Sequence, residues 1–159
     1  MEKYQELINA AKHEIKDADY HLTMTFKLVQ EPRFLFTIIG RILKAMSLAI
    51  SALLHYERAN KAIPHFLDGF DSQLTLFKMK CVNKYDIDKD FLTLISNLQE
   101  ILQENKESGL TFERKDKFVI CSDDYKLKTI TAPQVKDHLE KAKLFIQRIS
   151  LVIEQKGAK

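Results

Sequence analysis

The sequence predicts a mostly α protein: one antiparallel bundle of about five helices, with a small β-hairpin inserted before the last. Three observations lead there. Apolar residues recur at alternating spacings of four and three along several long stretches, the mark of a helix with one buried face. Only 4 Gly and 3 Pro interrupt 159 residues, which leaves little chain for loops or linkers. β-branched and aromatic residues cluster instead in one segment, 110–130, as expected of short strands. A chain of this length can bury a core without disulfides or a structural metal, so a single domain, 1–159, is expected.

The first helix is expected from about Lys3 to Gln30, with Tyr4, Ile8, Ala11, Ile15, Ala18, Leu22 and Val29 as its seam. Glu31-Pro32 breaks it, because a residue before proline is biased out of the helical region. So short a connection folds the second helix back on the first. That second helix, about Arg33 to Lys61, is apolar around most of its circumference, and Pro64 ends it. Its stretch Phe34–Leu54 is long enough to cross a bilayer, but Arg41 and Lys44 fall near its middle. Each such cation costs about 2.5 to 3.5 kcal/mol at the centre of a membrane helix, which favours a soluble core helix and no membrane partner.

A third helix is expected beyond Pro64, with Leu67, Phe70, Leu74, Phe77 and Cys81 on one face and Gly69 marking a bend or a late start. Asp86 or Asp88 suits the N-cap of a fourth, running to about Lys106 with Phe91, Leu94, Ile95, Leu98, Ile101 and Leu102 inward. Gly109 suits its stop. Around the polar ERKDK turn, residues such as Phe112, Phe118, Val119, Ile120, Tyr125 and Ile130 read as two or three short strands. Thr131-Ala-Pro-Gln134 then matches a capping box with proline in the first turn of a last helix. Val135, Leu139, Ala142, Ile146, Ile149 and Ile153 form its seam, and Gly157 closes it.

The 25 basic and 22 acidic residues give a net charge of +3, which permits an anionic partner without the one-sided field of a dedicated nucleic-acid binder. Cys81 and Cys121 are far apart and join no Cys/His cluster. They read as reduced thiols. The charged N-terminus lacks the apolar run of a signal peptide, and a cytoplasmic location is expected. There is no glycine-rich phosphate loop and no nucleophile elbow.

Several places carry candidate chemistry. His13, Asp17 and His21 recur at intervals of four, yet His13 and Asp17 lie opposite the apolar seam, which points to a solvated face. No metal or cofactor is predicted. On the second helix, Thr37, Gly40, Arg41, Lys44, Ser47, Ser51, His55 and Arg58 fall within a sector of about 120°. Arg41, Lys44, His55 and Arg58 would form a basic strip, and the small Ser47 and Ser51 would let a phosphate backbone or a partner helix approach. Equally, the strip suits the exposed edge of a core helix. Arg114, Lys115 and Lys117, interleaved with aromatics, could hold single-stranded RNA by charge and stacking. A solvated turn explains them as well.

The stretch AAKHEIKDADYHL in the first helix, the short turn, AMSLAISALLHYE in the second, and Arg58 followed after six residues by His65 together resemble the HEPN superfamily of prokaryotic helical-bundle proteins. The resemblance covers mainly residues 1–66. It implies an RNA-associated or partner-binding module, often a homodimer. In some members an Arg-x4–6-His pair forms a metal-independent ribonuclease site, with His moving a proton and Arg stabilising phosphate charge. Carried over, these roles fall to His65 and Arg58. Here, unlike the family pattern, Arg58 closes a helix and Pro64 directly precedes His65, so helical pitch does not fix their geometry. A protein-protein adaptor without catalytic activity stays open beside these readings, as does a small molecule held between the helices.

Overall fold

Residues Lys3–Tyr20, a π-helical turn His21–Thr25 and Phe26–Val29 form one continuous helix, α1. The computed structural model describes residues 2–29, 31, 33–107, 110–114, 117–121 and 127–157. After α1 come α2 (Phe34–Ala59), α3 (Phe70–Lys80), α4 (Lys89–Glu107), strands β1 (Leu110–Arg114), β2 (Lys117–Cys121) and β3 (Leu127–Thr131), and α5 (Ala132–Gly157). The protein is a mostly helical bundle of five helices with a small β insertion before the last, the class that its periodicity predicts.

The seam of α1 is buried at Ile8, Ala11, Ile15, Ala18 and Leu22, but continues at Phe26 and not at Val29, which is 54% exposed. The π turn explains the correction. It adds about one residue to a turn, with the Phe26 amide donating to the His21 carbonyl, so every later position rotates off the α-helical register.

α2 is long and apolar enough to cross a membrane by length and composition, with a mean hydropathy of 1.6 over 18 residues. In the bundle it is the central element and packs against α1, α3, α4 and α5. Leu35, Ile38, Ile39, Ile42, Met46, Ile50, Leu53 and Leu54 are fully buried there. Burying each such side chain stabilises the fold by roughly 1.5 to 3 kcal/mol before entropy is counted. On the far side of α2, Phe145 of α5 meets Phe77 of α3 edge-on at 6.0 Å and Phe91 of α4 at 5.3 Å.

The third helix starts late, as Gly69 allows: this residue holds φ +119° at the N-cap, a conformation open to glycine. Leu67 therefore precedes the helix and is 77% exposed. At α4, Asp88 is the cap, its Oδ1 accepting from the Asp90 amide at 2.9 Å. Asp86 takes a left-handed turn at φ +52° instead. The expected hairpin carries a third strand, giving an antiparallel meander β1-β2-β3 with Phe112 opposite Val119 and Phe118 opposite Ile130. Ile130, 4% exposed, fastens the meander to the bundle. The capping box of α5 is reciprocal: Gln134 N donates to Thr131 Oγ1 at 3.3 Å, and Thr131 N to Gln134 Oε1 at 3.1 Å. Gly109 and Tyr125 lie outside the described residues.

Candidate functional site

The C-terminal end of α2 builds the candidate site. Lys61 N donates to Arg58 O and Ala62 N to Glu57 O, both at 2.9 Å, the paired bonds of a Schellman motif. The motif needs a left-handed residue after the cap, and Lys61 supplies it at φ +60°. This reversal buries Ile63 and returns Pro64 and His65 toward the helix end. Arg58 Nη2 then lies 3.1 Å from His65 Nε2 on the exposed surface. Helical pitch leaves the geometry of this pair open; the helix stop determines it.

More basic groups gather here. His55, one turn before Arg58, packs edge-on against Phe66 with ring centroids 5.0 Å apart. Burial holds the His55 imidazole below its ordinary pKa, the cations Arg58 and Lys3 push it the same way, and Asp68 opposes them. Arg58 separates two shallow hollows of about 430 Å³ each. One is lined by Glu2, Lys3, Tyr4 and His55, and the other by Lys61, Pro64 and His65. Sequence reasoning passed over Lys3 and Lys61. Lys3 could have been placed from lengths alone, since two antiparallel helices of matching length joined by a short turn bring their far ends together.

The rest of the α2 stripe is not one site. Arg41 and Arg58 are 17 residues apart, or about 25 Å along the axis. Arg41 Nη1 reaches back to Glu14 Oε1 at 3.4 Å, tying α2 to α1. Lys44 and Thr37 are exposed, and Ser47 and Ser51 are half-buried. Arg114 ends β1 opposite Lys117, which starts β2. Lys115, together with the side chains of Arg114 and Lys117, lies outside the described residues.

His13 Nε2 sits 3.4 Å from Asp17 Oδ2 on an exposed face, whereas His21 turns to Thr25 and to the Phe34 ring. Among the described residues, no group of three or more His, Cys, Asp or Glu side chains could hold a metal ion. A groove of about 530 Å³ lies where α2, α4, β3 and α5 meet, floored by Ile39, Ile101, Ile130 and Val135. Burial there lowers the pKa of His138, so the groove offers an anion little. No protein-family model, curated protein or solved structure matches the chain.

Proposed function

We propose that this chain binds single-stranded RNA through its phosphates, at the end of α2 where Arg58, His65, His55, Lys3 and Lys61 converge. The contact between Arg58 and His65 carries this reading. A guanidinium only donates, so His65 Nε2 must accept at 3.1 Å and the ring proton resides on Nδ1. The surface therefore presents hydrogen-bond donors, which suit phosphate oxygens. Phe66 and Tyr4 border the same cluster and add aromatic surface near the bases. The likeness to HEPN modules in residues 1–66 agrees with this class of ligand, and a cytoplasmic location agrees with the partner.

Metal-independent cleavage is the second reading, favoured by the adjacency of Arg58 and His65. It requires Arg58 to release Nε2 as a phosphate arrives, so that His65 can take up and deliver a proton. Binding requires no such rearrangement and is the better supported of the two.

The test is a titration of the protein against labelled single-stranded RNA at low and physiological salt, following anisotropy and strand integrity together. Expected are a complex that weakens steeply with salt and a loss of affinity of about tenfold in Arg58→Ala. No complex at low salt would sink the proposal. Strand breakage that disappears in His65→Ala would establish the second reading.

A further inference from the structure

A second site lies away from the phosphate cluster, in the groove of about 530 Å³ where α2, α4, β3 and α5 meet. Ile39, on its floor, comes 19 residues before Arg58, or about 28 Å along the axis of α2. Strand β3 passes into α5 with no residue between Thr131 and Ala132, so Ile130 and Val135, on either side of that junction, both reach the groove. With Ile39 of α2 and Ile101 of α4 they make a floor of four aliphatic side chains from four elements, none more than 4% exposed. The volume falls in the range of small-ligand sites, roughly 300 to 1,000 Å³, and such sites are floored by apolar groups with a few polar ones beside them.

His138 and Asn97 are polar groups of this kind. Val135 and His138, three apart, share a face of α5, as Asn97 and Ile101, four apart, share one of α4. His138 Nδ1 is buried and has no hydrogen-bond partner among the described residues. Buried polar atoms in folded proteins are paired as a rule, so an orphan on a residue that lines a groove points to a partner from outside the chain. We propose that the groove binds a small neutral molecule with an apolar body and a hydroxyl group, the body on the aliphatic floor and the hydroxyl on His138 Nδ1. The charges of the lining favour a neutral occupant. Burial keeps the His138 ring uncharged, and Asp137, the acid among the lining residues, is engaged by Lys141 at 3.2 Å. An anion would meet that carboxylate and no lysine or arginine in the lining, and a cation would meet a carboxylate already paired. A neutral imidazole has one donor and one acceptor nitrogen, and a hydroxyl, which both donates and accepts, pairs with Nδ1 in either tautomer. A bare hydrocarbon would leave that nitrogen orphaned. This inference rests on a different surface from the phosphate site and does not depend on RNA binding.

The probe is para-ethylphenol, compared with ethylbenzene, which lacks the hydroxyl, and para-ethylbenzoate, which is anionic at neutral pH. Titration of the isotope-labelled full chain to about 1 mM of each, followed by amide NMR, reads affinity and location together. Expected are shifts confined to the surroundings of Asn97, Ile101, Ile130 and residues 135–138, with para-ethylphenol binding about three- to tenfold more tightly than either comparison, the worth of one hydrogen bond. His138→Phe keeps an apolar ring and loses the nitrogen, so it should bind para-ethylphenol and ethylbenzene equally, with circular dichroism checking its fold. The absence of shifts with para-ethylphenol overturns the proposal. So do shifts centred on the exposed Tyr20, Met24 and Leu28, which would mark unspecific apolar adsorption. Equal affinity of the wild type for the three probes overturns it without recourse to a variant, and a preference for the hydroxyl that survives in His138→Phe removes the bond to Nδ1 on which it stands.

Discussion

The Glu57 carboxylate, all but sealed inside the bundle, accepts a hydrogen bond from Lys84 Nζ at 2.7 Å. The Tyr85 hydroxyl donates to its other oxygen, and Arg148 Nη2 donates to the Tyr85 carbonyl at 2.6 Å. One carboxylate thus ties α2 to the α3–α4 connection, and through Tyr85 to α5. Removing one partner of a buried ion pair costs about 3 to 5 kcal/mol because the other charge is stranded. Lys84 is itself 41% exposed, and water can partly replace it. Lys84→Ala is therefore expected to cost about 2 kcal/mol, and Glu57→Gln, which leaves no stranded carboxylate, about 1 kcal/mol. Urea unfolding measures both. A Lys84→Ala midpoint equal to the wild type would show that the pair contributes nothing.

RNA affinity is expected to rise as the pH falls from 7 to 5.5. His55 is held below its ordinary pKa of 6.5 by burial and by the cations Arg58 and Lys3, so it is neutral at pH 7. A bound phosphate reverses that local field and favours the imidazolium, which couples binding to proton uptake. Anisotropy titrations should show affinity increasing about three- to tenfold across this range, with His55→Gln flattening the profile. A wild-type affinity that does not change with pH would remove the His55 charge from the binding surface.

Lys61 should show stability and binding moving in opposite directions. Its left-handed φ of +60° costs a lysine about 1 kcal/mol relative to glycine, partly offset by the greater freedom of glycine in the unfolded chain. Lys61→Gly is thus expected to stabilise the fold by about 0.5 kcal/mol while weakening RNA binding a few-fold through the lost cation. Thermal melts and titrations of the same preparation read both effects. Should affinity be unchanged, Lys61 lies outside the phosphate contact.

The helices were legible because each carries a periodic seam, and the capping box at Thr131 announced α5 to the residue. Two features were hidden for physical reasons. A π turn is one residue of underwinding that the apolar pattern does not announce, so the seam is expected to continue at Val29 and not at Phe26. Nothing in the sequence marks Glu57 as buried, because its partners Lys84 and Tyr85 come from a connection almost thirty residues on. The same holds at the candidate site. Arg58 and His65 could be nominated from the sequence, but their contact depends on the helix stop at Lys61, which carries lysine in place of the glycine that usually signals such a turn.

Cys81 provides a last check on how tightly the end of α3 is sealed. Its thiol is fully buried. Burial, with the nearby Glu57 charge adding to it and Lys84 opposing, raises its pKa from 9.0 to about 12. An acid whose pKa is raised on folding keeps its proton in the native chain after the unfolded chain has lost it. Its contribution is therefore fully present below about pH 9 and is lost as the pH rises toward 12, so urea midpoints should fall over this alkaline range, and fall less in Cys81→Ala. Since the thiolate is the nucleophile, the native thiol should also be silent to a disulfide reagent at pH 8. In a Cys121→Ser background, which leaves one thiol to observe, labelling is expected to track global unfolding. Labelling at the rate of a free thiol without denaturant would mean that the α3–α4 connection opens on its own, and the Glu57 network would then be too weak to hold it closed.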